Sequence, residues 1–433
     1  MSDVEIDRIA REEKFVQRSS KISAKQFLQM LLFDHLQYNQ PTLGQHVFGM
    51  QEDTGRHVSR EGLNKRFNAE AVSFVKKLFE AFLAATIDYG AVGSGLQKRY
   101  SAIRILDSTE FKLADSLAKD FPGYSESNAA ACAAIQFEYD IISRKVSCLS
   151  LGSANESDKA FADNSMGNIG LRELVLRDLG YYGIKSYTKI EGREAFYISR
   201  LKPRIVIFRK EDGEYKPVSW AEIVGLAQKS KDGHFDQTVY IGSEEKKEVR
   251  LMAWVLPEDG QQRRQQRKMN RKGCVSADDK AWCMLNVFIT NIGPEDLTVE
   301  EAYQLYRIRW QIELVFKIWK SILQIHKLRK MKPERVKCYL YSMFIWVLLC
   351  WDITSCFEPV AWGHAGELLS PYKCYGLLKN QACGLKAVLF NARGRLTQWL
   401  AKMLEAFVGL GLKETKKGST PIKITLKYKR KTK

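Results

Sequence analysis

The sequence predicts an α/β protein: a core of alternating strands and helices with helical regions at both ends. Short apolar runs closed by polar or acidic residues recur between residues 103 and 292, as strands do. Apolar residues at helical spacing fill residues 1 to 92 and 336 to 412. Between them one stretch, Tyr306 to Lys320 with its continuation to Lys330, combines an apolar face with a charged one.

At 433 residues the chain exceeds the usual size of one domain, so two to four units are expected. Hydrophobic residues make up 45%, enough for ordinary cores. The formal net charge of +18 calls for a polyanion, either nucleic acid or an anionic membrane surface. Nine cysteines without a CxxC pair fit reduced thiols rather than a disulfide framework or a zinc site. The opening MSDVEIDRIAREEKF lacks the apolar stretch of a signal peptide. The longest apolar run, Met343 to Trp351, is too short to span a bilayer and reads as a buried helix. Nucleic acid is the favoured partner; no membrane and no small-molecule substrate are expected, and the expected compartment is the cytoplasm.

Taken in order, Lys25 to His35 and Ala69 to Thr86 read as helices. Ser59, before Arg60-Glu61-Gly62, is a candidate N-cap, and Arg60, Lys65 and Arg66 would decorate the helix that follows. A helix-turn-helix-like reader and a plain charged bundle are both compatible with this region. GSGLQKR, residues 93 to 99, is a Gly-rich linker. Ile103, Ile105 and Leu106 then form a run closed by Asp107-Ser108-Thr109, which places Asp107 at a strand's C-terminal end. Turn-capping is the plainer role for such an Asp. Ala130 to Tyr139 and Lys145 to Gly152 form a hairpin around Ile142-Ser143-Arg144, and SANESDKAF opens a helix. Leu174-Val175-Leu176 then lead to Asp178, with Gly180 and Tyr181 just beyond. Strand, hairpin, helix and strand are thus expected in this order, without the order fixing how the strands connect in a sheet.

EAFYISRL, PRIVIFRK, QTVYIGS and EVRLMAWVL make residues 194 to 257 a β-rich insertion. QQRRQQRKMNRKG, residues 261 to 273, holds six Lys or Arg and no acid. Such charge repels itself unless an anion neutralises it, so Arg263, Arg264, Arg267 and Lys268 read as a phosphate-tracking arm, with a solvated helix face as the other reading. AWCMLNVFITNI is expected as the last core strand. Beyond Lys330 the chain is helical and apolar, with Trp346, Trp351, Trp362 and Trp399 in cores, and it ends in a basic tail.

On the central helix, at about 100° per residue, Tyr306, Arg309, Glu313 and Lys320 fall within roughly a 60° arc, and Lys317 and Lys327 lie close to it. Ile308, Ile312, Val315, Trp319, Ile322 and Leu323 form the core side. An i,i+4 ladder, Arg309–Glu313–Lys317, accounts for the charges at a few tenths of a kcal/mol per pair. Exposed pairs contribute about 0–1 kcal/mol, so loss of Arg309 or Lys320 is expected to leave stability nearly unchanged.

Tyr306-x-x-Arg309-x-x-x-Glu313-x-x-x-x-x-x-Lys320 resembles the YREK signature of bacterial insertion-sequence transposases of the IS-four type. Asp107-Ser108-Thr109 resembles that family's first aspartate motif, and Asp178-Leu179-Gly180-Tyr181 its second. SR-x-GL-x-x-R at residue 59, and W-x-x-L with a later Thr before the helix, are also similar to it. The resemblance covers most of residues 55 to 330. It implies a DDE triad of Asp107, Asp178 and Glu313 as catalytic and metal-binding residues, with Tyr306, Arg309, Lys317 and Lys320 on DNA. It also implies a ribonuclease H-like core interrupted by a β-rich insertion, between a DNA-binding region at residues 1–95 and a helical region at 333–433 for dimerisation or DNA contact. The core would comprise residues 96–200 and 279–332, and the insertion 201–278.

Three carboxylates without a His/Cys cluster suit a hard cation, here two Mg²⁺ ions with Mn²⁺ able to substitute. The implied function is cut-and-paste DNA transposition. The protein would bind terminal inverted repeats, cleave, and transfer strands to target DNA, as a homodimer associated with the nucleoid. A metal nuclease of the same fold without strand transfer, and a catalytically silent DNA-binding repressor, stay open.

Overall fold

Side-chain caps start most of the early helices. In a computed structural model that describes residues 1–18, 20–38, 40–85, 95–125, 129–181, 183–390 and 395–414, the chain opens with α1 (Asp3–Glu12), α2 (Ala24–Tyr38), α3 (Leu43–Thr54), α4 (Arg60–Arg66) and α5 (Ala69–Ala84). Ser2, Thr42, Ser59 and Asn68 each accept a hydrogen bond from a first-turn backbone N–H of α1, α3, α4 and α5. Ser59 is the cap the sequence points to. Most of the linker at 93–99 is described, Gly93 and Ser94 excepted, and nearly all of the basic tail lies outside the described residues.

Strands β1 (Ile103–Lys112), β2 (Pro122–Ser125), β3 (Ala129–Asp140) and β4 (Val146–Ser153) follow. Next come α6 (Asp158–Asn164), β5 (Leu174–Arg177), α7 (Ile184–Glu191) and β6 (Phe196–Arg200). Then come β7 (Ile207–Glu211), β8 (Glu214–Val218), α8 (Trp220–Lys229), β9 (His234–Ile241), β10 (Lys247–Val255) and α9 (Glu258–Lys272), over the residues expected as an insertion. After it come α10 (Ala277–Met284), β11 (Leu285–Thr290), α11 (Val299–Ile308) and α12 (Trp310–Ser321). The last helices are α13 (Pro333–Ala365), α14 (Pro371–Asn380), α15 (Ala382–Phe390) and α16 (Leu396–Leu410).

The chain forms two compact units. One consists of Met1–Gly95, Ser108–Asn155 and Trp310–Lys433; the other of Leu96–Asp107 and Glu156–Arg309. The backbone thus passes from one to the other inside β1, directly after Asp107, and again between Arg309 and Trp310.

In the second unit β1 pairs parallel with β5, and β5 with β6. The sheet continues antiparallel through β11, β10, β9, β7 and β8. In the first unit β3 and β4 form the expected antiparallel hairpin, its turn closed by Arg144 at φ 61°. Within the second unit the strand order is β1-β5-β6-β11-β10-β9-β7-β8. The protein is a mixed α/β fold with helical ends.

Two elements of the second unit differ from the sequence reading. α8 lies where only strands were expected; Ser219 caps it through Glu222 N–H, and Trp220, Ile223, Val224 and Ala227 are buried at helical spacing. The expected last strand begins as a helix, α10, because Ser276 caps it and Asp278 and Asp279 favour the first turn; only Leu285–Thr290 extends.

The first unit has α13 as its spine. By length and composition α13 could cross a membrane, yet 72% of its most apolar 18-residue window is buried, as in a core helix. Trp346, Trp351, Trp362 and Trp399 are all buried. A buried polar chain ties α13 to the early helices: His46 Nδ1 lies 2.7 Å from Asp34 Oδ2, and His46 Nε2 lies 2.6 Å from the Tyr339 hydroxyl. The neighbouring His35, 5% exposed, donates from Nε2 to the Leu323 carbonyl at 3.0 Å.

Burial, with smaller contributions from Lys379 and His46, lowers the His35 pKa from 6.5 to about 4, so the ring is neutral when folded. A depressed histidine stabilises above its unfolded pKa, and that stability is lost as pH falls from about 6.5 towards 4. Comparison of wild type with His35→Gln by chemical denaturation across this window should show about 3 kcal/mol of pH dependence that the variant lacks. Parallel pH profiles would show that His35 is already charged in the folded state.

Candidate active site

The two aspartates are placed by strand register. Ile103 pairs with Leu174 and Ile105 with Leu176; two residues further along the parallel strands stand Asp107 and Asp178. Beneath them Leu106 and Tyr181 pack with Ala162 and Phe161, which fixes the residues flanking both acids. Gly180 packs closely here: a Cβ would meet the Asp158 carboxylate at 3.1 Å, so that side chain would have to shift by a few tenths of an ångström. Asp178 directly follows β5, as expected. Asp107 does not end its strand. β1 runs on to Lys112, but its pairing with β5 stops at Ile105, and its second half belongs to the first unit beside β3.

The same register reveals a residue the sequence reading missed. Arg177 pairs with Ser199, so Arg200, at the end of β6, stands one strand over from Asp178. It is half-buried and forms no ion pair among the described residues, and its charge reaches Tyr306 and Arg264. An arginine closing the apolar run FYIS was the available signal.

α11 brings Tyr306 and Arg309 to the aspartates. A capping box of Thr298 and Glu301 starts the helix. Arg250 clamps the preceding loop, donating to the carbonyls of Ile292 (3.1 Å) and Leu297 (2.7 Å) while its other nitrogens grip Asp236. Stacked Trp254 and Phe288 receive the Tyr303 and Tyr306 rings edge-on. The Tyr306 hydroxyl donates to Asp178 Oδ1 at 3.2 Å. Burial, and then the Asp178 charge, push the phenol well above its ordinary pKa, so it remains a donor. Arg309 Nη1 donates to Asp107 Oδ2 at 2.8 Å, with side chains 7% and 18% exposed.

This geometry corrects two expectations. The helix from Tyr306 to Lys330 is not continuous. It breaks at Arg309, whose N–H bonds back to the Tyr306 carbonyl three residues earlier, and α12 ends at Ser321. Gln324 at φ 51° then turns the chain so that the Ile325 N–H meets the Trp319 carbonyl. Arg309 is also no exposed ladder member: removing a mostly buried partner of Asp107 should cost about 3 kcal/mol rather than nearly nothing.

Within the first unit α12 carries Glu313 in its first turn, half-buried, with Lys317 exposed and Lys320 half-buried. Its predicted core face is buried at Ile312, Val315 and Trp319. Lys320 donates to the Glu110 carbonyl at 3.2 Å, and burial lowers its pKa. Lys317 and Lys320, with Lys327, Lys373, Lys413 and Arg144, line a cavity of about 960 Å³. Lys373 and Lys413 had no sequence signal, since only folding gathers them with α12.

The basic arm is helix α9, and its cations divide. Arg263 and Arg267 are exposed, Arg263 pairing with Asp259 at the surface. Arg264 turns inward to the Leu285 carbonyl at 2.6 Å, and Lys268 pairs with Asp279, its side chain 13% exposed. Those two brace α9 against β11 and α10 rather than facing solvent.

Asp107 and Asp178 offer only carboxylate oxygen, which suits a hard divalent cation, and the Arg309 guanidinium on Asp107 shows that the position holds positive charge. Among the described residues no group of three or more His, Cys, Asp or Glu is gathered as a metal site. All nine cysteines are free thiols.

The family model of the transposase DDE domain matches residues 101–349. A transposase for insertion sequence element IS231F of Bacillus thuringiensis subsp. israelensis is 29% identical over 417 residues, 92% of this chain and 86% of that protein. The transposase for element IS1151 of Clostridium perfringens is 26% identical, covering 95% of this chain and 91% of its own length. A cryo-EM structure of the piggyBac transposase synaptic complex with hairpin DNA aligns with a TM-score of 0.44 at 10% identity, over 96% of this chain and 84% of that one. With more than half its length matched, the chain belongs to the DDE-domain transposases.

Proposed function

We propose that the protein binds the terminal inverted repeats of an insertion sequence, cleaves there with divalent metal, and transfers the freed strand to target DNA. The observation that carries this reading is the facing pair Asp107 and Asp178 on parallel strands, with Tyr306 and Arg309 on their carboxylates. In this reading the aspartates hold the cation site, and Glu313, four residues beyond Arg309, is assigned as third carboxylate on the sequence pattern. Bound Mg²⁺, two ions with Mn²⁺ as a substitute, would supply Lewis acidity to a phosphodiester. Arg200, Arg309, Lys317 and Lys320 hold phosphate oxygens, Arg in bidentate fashion. Tyr306 keeps Asp178 oriented. Water first displaces the element's 3′-oxygen; the 3′-hydroxyl then attacks a target phosphodiester, and a target 3′-oxygen leaves.

Glu313→Gln should fold, bind repeat DNA at least as well as wild type, and lose cleavage and joining on the order of a thousandfold. Asp107→Asn and Asp178→Asn should separate binding from cleavage in the same way. Gel assays with the element's own ends and Mg²⁺ or Mn²⁺ test this. Normal cleavage by the Glu313 variant would mean a misassigned triad. Wild type that binds ends specifically but never cuts would favour the silent repressor. Cutting without joining would favour the nuclease.

DNA affinity should fall steeply with salt, the log–log slope gaining about 0.9 per phosphate neutralised. Arg263→Gln with Arg267→Gln should flatten that slope, whereas Arg264→Gln with Lys268→Gln should lower melting temperature and leave the slope alone. An unchanged slope in the first pair would return α9 to a solvated surface.

The protein is further proposed to act as a homodimer on DNA, each copy cutting the end its partner holds. Mixing Glu313→Gln with a DNA-binding variant should restore partial cleavage. Strict inactivity of the mixture would count against action in trans.

A further inference from the structure

Arg309 already fills part of the site proposed for metal. Its Nη1 sits 2.8 Å from Asp107 Oδ2, and both side chains are largely withdrawn from water. Its guanidinium carbon lies 5.7 Å from the centroid of the Tyr306 ring, which is pinned by its own bond to Asp178 and by Phe288 at 4.7 Å. The residue occupies the junction between α11 and α12, so its side chain leaves from a break in the helix rather than from its interior.

An arginine cannot shed its charge at any ordinary pH. Its hold on Asp107 is therefore relieved only by exchange, with another cation taking the carboxylate and another anion taking the guanidinium. A divalent cation suits the first role, and a DNA phosphate the second.

We infer that Arg309 and a divalent cation compete for Asp107, and that Arg309 gives way to the ion when phosphate is present to receive the guanidinium. The inference rests on the reading of Asp107 and Asp178 as metal ligands. It makes Arg309 a positioning residue that couples two ligands. Metal binding is weak without DNA, DNA strengthens it, and by reciprocity metal strengthens DNA binding by the same factor.

Calorimetric titration of the full chain with MnCl₂ tests this directly, without DNA, on wild type, Arg309→Gln, Arg309→Lys and Asp178→Asn. Arg309→Gln should bind Mn²⁺ roughly tenfold tighter than wild type, within the usual range of coupling between sites. Its melting temperature should be lower in EDTA and largely recovered with Mn²⁺. Arg309→Lys keeps the charge but not the planar fork, and should fall between the two. A purely structural arginine would lower melting temperature in both conditions without raising affinity, which overturns the proposal. Equal affinity in wild type and Arg309→Gln, with binding lost in Asp178→Asn, also overturns it but leaves the metal reading standing. Absence of Mn²⁺ binding in wild type and Arg309→Gln alike sinks both. If the Gln variant does not fold, the Lys variant decides, and wild-type affinity there counts against the exchange.

Discussion

The parallel pairing of β1 with β5 is the constraint on which the candidate site depends. Parallel strands in register bring equivalent C-terminal positions side by side, so one pairing from Ile103–Leu174 to Ile105–Leu176 sets Asp107 beside Asp178. The next pairing, β5 with β6, extends the row to Arg200. A slip of one residue would turn each acid to the opposite face of the sheet. The buried Leu106–Tyr181 cluster and the close approach at Gly180 oppose such a slip locally.

Two acids side by side repel, and the second unit answers that repulsion with one donor each. Tyr306 supplies a neutral donor, kept neutral by burial, and Arg309 a permanent charge. Neither position is left to loop freedom. The aromatic group of Trp254, Phe288 and Tyr303 seats α11 on the sheet, and Arg250 holds the loop that precedes it. The supports lie on β10 and β11, which gives these two strands a direct part in placing the site.

Charge in this protein is thus unevenly employed. Of the surplus that points to a polyanion, Arg250, Arg264 and Lys268 are used inside the fold, while Arg263, Arg267 and Lys317 face solvent. Arg200 and Lys320 stand between these groups, each half-buried. A half-desolvated cation binds phosphate more strongly than a fully hydrated one, because less water must be displaced and the field is less screened.

Much of this was legible in the sequence, because it depends on local chemistry. Ser59 as a cap, the β3–β4 hairpin, the apolar runs that carry Asp107 and Asp178, and the buried face of α12 each follow from spacing within a few residues. The four YREK positions were equally plain as text. What the sequence could not decide were the properties set by partners distant in the chain. The break at Arg309 accompanies a bond to a residue about two hundred positions earlier, and the inward turn of Arg264 and Lys268 needs β11 and α10 beside them. Arg200 joins the row only through strand register, and Lys373 and Lys413 reach α12 only after the last helices fold. Periodicity reports which face of an element is apolar; which side chain meets which is fixed by packing, where burial makes each unpaired charge too costly to leave alone.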